Sequence, residues 1–144
     1  MKCLKAKDYL KQAYRLDDLI QNNQQELKEL QDLSTTIPAT DYSKDKVQTS
    51  HSGEASYTKI IEKIVELEDV IRADIQKLLS LKLEIRNVIN DVKDNEEKLL
   101  LKCRYLNFMT WENICYQMNV SMRTAHRIHG NALQNVKVPE KYES

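Results

Sequence analysis

Apolar residues recur through the middle of the chain at alternating steps of three and four: Ile60, Ile64, Leu67, Ile71, Leu78, Leu81, Ile85, Val88 and Val92. Steps of that kind mark the seam of a coiled-coil helix, and neither Gly nor Pro interrupts the run from Tyr57 to Val92. Asp74 is the single polar member of the seam, a device that fixes register or partner orientation at some cost in stability. The pattern predicts a helix over residues 55–93, roughly 50 Å long, which something must cover. Residues 1–33 offer a partner. Leu4, Tyr9, Leu10, Leu16, Leu19, Ile20, Leu27, Leu30 and Leu33 form a looser stripe in a background of Lys, Gln, Glu and Asp, a helical composition.

Between these stripes the chain turns polar, with Pro38, Gly53 and many Ser, Thr, Asp and Lys residues from Ser34 to Gly53. Such a stretch buries too little apolar area to offset its ordering entropy, so residues 34–54 are expected to be a flexible loop. A loop of that length lets the first helix fold back antiparallel on the second or reach across to another subunit. An antiparallel hairpin within one chain is the preferred reading. A homodimer through the remainder of the long helix comes second, and a plain three-helix core is the alternative to both.

The last third has a different rhythm. VKDNEEK is a polar break in which Asp94 and Asn95 can cap a helix ending at Tyr105, and Leu99, Leu100, Leu101, Cys103, Tyr105, Leu106 and Phe108 supply core. Thr110 can accept a hydrogen bond from a first-turn amide, with Glu112 near the positive end of the helix dipole. Trp111, Ile114, Cys115 and Met118 then recur on one face, and Asn119, which tolerates the left-handed conformation, breaks the run. Val120 plugs the turn. Ser121 caps a second helix with Ala125, Ile128, Ala132, Leu133 and Val136 inward. Two short capped helices joined at a tight turn have the layout of a DNA-reading helix-turn-helix, which predicts a small domain over 95–138 and a tail at 139–144.

What stays outward suits DNA. Ser121, Met122, Arg123, Thr124, His126, Arg127 and Asn131 are donors, acceptors or small contacts, and none is acidic, as an approach to phosphates requires. The whole chain carries 22 basic and 22 acidic residues, a formal charge of zero. The balance is uneven: from Leu99 to Val138 five basic residues (Lys102, Arg104, Arg123, Arg127, Lys137) face one acidic, Glu112, leaving +4 there and about −4 elsewhere. A core helix pair without a ligand is the bland alternative.

The stretch NEEKLLLKCRYLNFMTWENICYQMNVSMRTAHRIHGNAL resembles the C-terminal promoter-reading domain of bacterial sigma factors. The likeness rests on Leu101, Arg104, Tyr105, Trp111, Ile114, Met118, Val120, Ser121, Thr124, Arg127, His129, Ala132 and Leu133. With its helical N-terminal region, the chain is similar to small sigma-like transcriptional regulators of phages and prophages, the ArpU and RinA type. Cys115, Met118 and Ala125 depart from the usual alanine, leucine and valine, all conservative changes of packing. The resemblance implies that the helix from Ser121 lies in the major groove, with Met122, Arg123, Thr124, His126 and Arg127 toward base edges or flanking phosphates. Arg123 is the first candidate for bidentate reading of guanine and Arg127 for a phosphate clamp or second base. His129 is expected to be a solvent-exposed helix histidine.

Other classes find little support. Two glycines in 144 residues leave no phosphate-cradling loop, and the carboxylates sit at helical surface spacings, so no enzymatic activity and no cofactor are expected. Nine dispersed aromatics (one Trp, seven Tyr, one Phe) disfavour a single-strand-binding surface, and Trp111 reads as a core anchor. Cys3, Cys103 and Cys115 lack paired metal-ligand spacing and read as free thiols of a reducing cytoplasm. A zinc site would need His126 or His129, both expected on the outer face. No transmembrane or signal stretch is present, so no membrane partner is expected. The leading expectation is an all-α, cytoplasmic regulator that reads double-stranded DNA. The competing one is an interaction protein, a sigma-like decoy or antirepressor that binds a host RNA polymerase or another regulator; a structural coiled-coil assembly factor comes third.

Overall fold

The computed structural model describes residues 2–42 and 50–142, with side chains over 5–36 and 54–142. All regular structure among them is helical: α1 (Lys2–Tyr42), α2 (Ser50–Asn90), α3 (Asn95–Tyr105), α4 (Trp111–Met118), α5 (Met122–Asn135) and a short 3-10 turn at Glu140–Tyr142. The fold is all-α, a long antiparallel helical hairpin followed by three small helices. The chain divides into two compact units, one formed by residues 1–17 and 77–144, the other by residues 18–76.

In the first unit, the start of α1 meets the end of α2 and the small helices in one core. Ala6, Tyr9, Leu10 and Ala13 of α1 are buried with Ile85, Ile89 and Val92, with Leu101 and Tyr105 of α3, and with Ala132, Leu133 and Val136 at the end of α5. Tyr142 of the expected tail also packs against this core. Glu84 accepts hydrogen bonds from the hydroxyls of Tyr9 (2.8 Å) and Tyr142 (3.3 Å) and pairs with Lys141 (2.6 Å), while the Tyr9 and Tyr142 rings lie 5.0 Å apart. Burial alone would raise the Glu84 carboxyl, but the hydrogen bonds from Lys141 and Tyr9 outweigh it and hold the group below its ordinary value.

Between α3 and α4 the chain makes a tight reversal. Phe108 takes a left-handed conformation (φ 56°), costly for a bulky side chain and persisting only where packing over-determines it. Its ring lies edge-on to Tyr14 at 5.5 Å, and the Lys82 ammonium sits 4.5 Å from its centre. The backbone closes below it, with Met109 N donating to Cys103 O at 3.0 Å.

The second unit holds the remainder of α1 and α2. Ile20, Ile64 and Ile71 are buried, while Leu27, Leu30, Ile60 and Leu67 are half-buried, so the three-four seam of α2 is the face that packs. Asp74 is half-buried on that seam, as expected, and Asn23 is a second half-buried polar residue on the corresponding line of α1. Two members of the expected α1 stripe lie off it: Leu19 and Leu33 are each 50% exposed, and the inward line runs instead through Ala13, Leu16, Ile20, Asn23, Leu27, Leu30 and Ser34. Leu4 lies outside the described side chains.

The helices also reach further into the expected 34–54 loop than its composition suggests. α1 continues to Tyr42 and α2 begins at Ser50. At the start of that stretch the hydroxyl of Ser34 donates to the carbonyl of Gln31 (2.7 Å), and those of Thr35 and Thr36 to that of Asp32 (2.8 and 2.9 Å), so these polar side chains find their partners within the helix. Residues 43–49 lie outside the described residues.

Candidate nucleic-acid interface

The local chemistry of α3, α4 and α5 follows from four capping positions. Asp94 is extended (φ −75°, ψ 127°) and its carboxylate accepts from Glu97 N at 3.0 Å. Thr110 accepts from Asn113 N at 3.2 Å, and Ser121 accepts from Thr124 N at 3.1 Å. Each thereby satisfies an amide that the first helical turn leaves without a partner. Asn119 closes α4 in the left-handed region (φ 56°, ψ 49°). Its N–H reaches Tyr116 O (3.3 Å) and Val120 N reaches Cys115 O (3.0 Å), the two bonds of a Schellman motif, with Val120 and Cys115 packed on the same core. Sharp termination at Asn119 and immediate restart at Ser121 fix the crossing of α5 on α4.

That crossing is held by a compact apolar cluster. Leu100, Cys103, Ile114, Ala125 and Ile128 are buried, with Met109, Trp111, Cys115, Met118 and Val120 around them. Ala125 is completely buried, and its small side chain allows the start of α5 to come close to its neighbours. Cys103 is an inert thiol, pushed up by burial, and Cys115 is half-buried with its sulfur 4.0 Å from that of Met122. Cys3 lies outside the described side chains.

His129 corrects the sequence reading. It is 7% exposed, not on the outer face, and its Nε2 lies 2.7 Å from the Tyr105 hydroxyl. The two rings stack at 5.8 Å, and Trp111 meets His129 edge-on at 4.9 Å. Its inward position follows from helical spacing, since it falls four residues after Ala125 and three before Ala132, both buried. Burial first, then the cationic charges of Lys7, Arg104 and Lys11 and the nearby His126, lower its pKa to about 4, so the ring is neutral at physiological pH. Burial likewise pushes the Tyr105 hydroxyl up to about 12. Trp111 is indeed built into the core: the Arg104 guanidinium lies 4.9 Å from its ring, and Arg104 donates to Met109 O at 2.9 Å.

The seven candidate residues are all at the cap or the first three turns of α5, but their side chains differ in freedom. Ser121 and Thr124 are committed to the cap: Ser121 Oγ receives the Thr124 amide and donates to Thr124 Oγ1 at 3.0 Å, and Thr124 is half-buried. His126 is exposed, but its ring lies 4.3 Å from that of Trp111. Met122 is 39% exposed. Arg123, Arg127 and Asn131, spaced four apart along one exposed face, are left to solvent, and no salt bridge among the described residues engages either arginine.

Two positions on this surface escaped the sequence reading. Gly130 lies in α5 between the arginine turns and the core, with helical backbone and nothing within 4 Å of where a Cβ would stand. No internal packing asks for glycine there, although glycine weakens a helix interior. Tyr116 on α4 is 90% exposed, the most exposed large hydrophobic residue described. The signal for both is compositional: a glycine inside a helical pattern, and an aromatic off the apolar face of α4.

No helix among the described residues is long and apolar enough to cross a membrane. No curated protein and no solved structure shows significant similarity to the chain. A family model does match residues 36–137, well over half the length and spanning α2 to α5, and the chain therefore belongs to the family described as "Protein of unknown function (DUF1492)".

Proposed function

We propose that the protein is a sequence-specific, double-stranded-DNA-binding regulator of transcription, of phage or prophage origin, acting in the cytoplasm without enzymatic activity or cofactor. The reading helix is α5, set in the major groove with its N-terminal turns toward base edges. The observation that carries this reading is the exposed, acid-free line of Arg123, Arg127 and Asn131 on a helix whose start is fixed by the Asn119 turn and the Ser121 cap. A rigid helix with uncommitted guanidinium groups is what base reading needs, because a bidentate arginine is worth about 1–3 kcal/mol of discrimination only when its backbone is held in register. Arg123, nearest the helix start, is assigned to a guanine edge and Arg127 to a phosphate or second base. Ser121 and Thr124 act through the cap, and their remaining polar capacity suits a phosphate contact. The exposed phenol of Tyr116, on the helix before the turn, is assigned to a phosphate of the DNA backbone in the same docking.

The test is selection of bound duplexes from a random pool at two salt concentrations. A recovered motif is expected, with affinity falling steeply as salt rises; Arg123→Ala relaxes one base position and Arg127→Ala weakens binding to all sequences. If no duplex is enriched at low salt, direct DNA reading is wrong, and the helices serve instead to bind a host polymerase or another regulator.

A further inference from the structure

α2 carries a second apolar line, separate from the seam that packs on α1. At about 100° per residue, Glu54, Tyr57, Ile61, Val65, Glu68, Arg72, Ile75, Leu79, Leu83 and Arg86 fall within a stripe roughly 80° wide, displaced by more than a quarter turn from the Ile64–Ile71–Ile85 seam. Tyr57, Val65, Ile75, Leu79 and Leu83 are 39%, 51%, 45%, 61% and 54% exposed and Ile61 is half-buried, a density of bared apolar side chains not expected of one helix face left in water. The order along the stripe is self-complementary. Read outward from the level of Val70 in both directions, it gives charged, apolar, apolar, apolar, charged, with the same spacings on either side. The charges have opposite signs: Glu68 is the counterpart of Arg72, and Glu54 the counterpart of Arg86.

We infer that this stripe is a homodimer interface, in which α2 of one chain lies antiparallel on α2 of a second copy about a two-fold axis at the level of Val70. In that register Val65 meets Ile75, Ile61 meets Leu79 and Tyr57 meets Leu83, each twice, while Glu68 faces Arg72 and Glu54 faces Arg86 of the other copy. A two-fold interface must be self-complementary, and this sequence satisfies the condition at every position of the line. The charges also choose the direction. A parallel, in-register pair would set Glu54, Glu68, Arg72 and Arg86 each against its own copy, four like-charge pairs, whereas the antiparallel pair makes four opposite-charge ones. Arg72 pairs with Asp69 three residues away at 2.9 Å, an exposed ion pair at the margin of the stripe that is worth little in water and yields to a closer partner.

The inference deepens the regulator reading by naming the partner of the long helix, yet it is tested without DNA. Sedimentation equilibrium of the full chain is expected to give the dimer mass. Replacing the exposed Ile75 and Leu79 by Glu (I75E with L79E) keeps the seam and the helix propensity, and is expected to raise the dimer dissociation constant at least tenfold with unchanged helical circular dichroism. Glu68→Arg weakens association severalfold, and adding Arg72→Glu in the same chain restores it. A monomer at all concentrations, a dimer indifferent to I75E with L79E, or a charge reversal that fails to restore association would each overturn the proposal, the last because the antiparallel register sets residue 68 of one copy against residue 72 of the other.

Discussion

The small helices and the long hairpin solve the same problem by different means. Among α3, α4 and α5 the apolar side chains close into a three-dimensional core: Leu100, Leu101, Ile114, Ala125 and Ala132 are wholly inaccessible. Among the described side chains of residues 18–76 only one stripe of each helix is covered, Ile20, Ile64 and Ile71 are the buried ones, and the other seam positions stay half open to water. A helix pair removes apolar area along a line, a small domain removes it over a surface, and the stabilisation scales with the area removed. The lesson is that the turn chemistry and the exposed face of α5 sit on the more fully closed core, whereas the hairpin leaves apolar surface that a further partner would cover.

The comparison breaks first at the cores. Ile114→Ala should cost about 3–4 kcal/mol, since the site is closed on all sides and the cavity cannot collapse. Ile71→Ala should cost about half that, because its pocket is open along one edge. Denaturant unfolding of both variants measures the contrast, and equal losses would mean that residues 18–76 are as tightly packed as the small helices.

Acid sharpens it next. His129 has a folded pKa of about 4 against an ordinary value near 6.5, so between those pH values the unfolded chain binds a proton that the native state refuses. The contribution of the neutral His129 ring is complete above pH 6.5, declines as the pH falls, and is gone below about 4, a swing of about 3 kcal/mol. Glu84, held below its usual range, adds its loss only at lower pH, as its own carboxyl is protonated. Thermal melts of wild type and of a Tyr105→Phe, His129→Phe double variant should separate across pH 6.5 to 4, the double variant staying flat there because it removes the titrating ring and leaves no orphaned hydroxyl. A wild-type melting point independent of pH in that window would contradict the buried, neutral imidazole.

These two tests also mark where sequence reading succeeds. The caps at Thr110 and Ser121 and the left-handed Asn119 were legible because each depends on one residue type at one offset, an interaction closed within four residues. The α2 seam was legible because its period is regular over more than thirty residues. Burial of His129 depends on Tyr105, 24 residues away, and on a rotation of α5 that the neighbouring alanines could have signalled. Leu19 and Leu33 look like core by type, but Ala13 and Asn23, weaker hydrophobic signals, hold the inward line. The pinning of Tyr142 to Glu84 across 58 residues, and the left-handed Phe108 that Tyr14 and Lys82 hold in place, have no local signature at all. Of the candidate site, the outward face of α5 was readable, whereas the commitment of Ser121 and Thr124 to each other and of His126 to Trp111 required the packed structure.

The turn is the next smaller effect. Ser121→Ala removes the acceptor for Thr124 N and should cost about 1 kcal/mol, and Asn119→Ala should cost a similar amount by forcing a Cβ-bearing residue without a local hydrogen-bonding group into the left-handed region. If the turn only stabilises the fold, both variants lose affinity for DNA in proportion to their unfolded fraction. If it also aims α5, affinity falls at temperatures where both remain folded, and titration of a selected duplex against a thermally verified native sample distinguishes the two.

The finest contrast lies within α5 itself. Gly130→Ala places a methyl group where nothing stands within 4 Å, on a helical backbone, so it should stabilise the protein by about 0.5–1 kcal/mol. A glycine that weakens its helix and serves no internal packing is explained if something external approaches the backbone there. The Gly130→Ala variant should then melt higher and bind its selected duplex more weakly, the two properties moving in opposite directions. Unchanged affinity with a raised melting point would show that nothing approaches the α5 backbone at Gly130 and that any duplex contact rests on the two turns carrying Arg123 and Arg127. A lowered melting point would mean that Gly130 answers a demand of the fold after all.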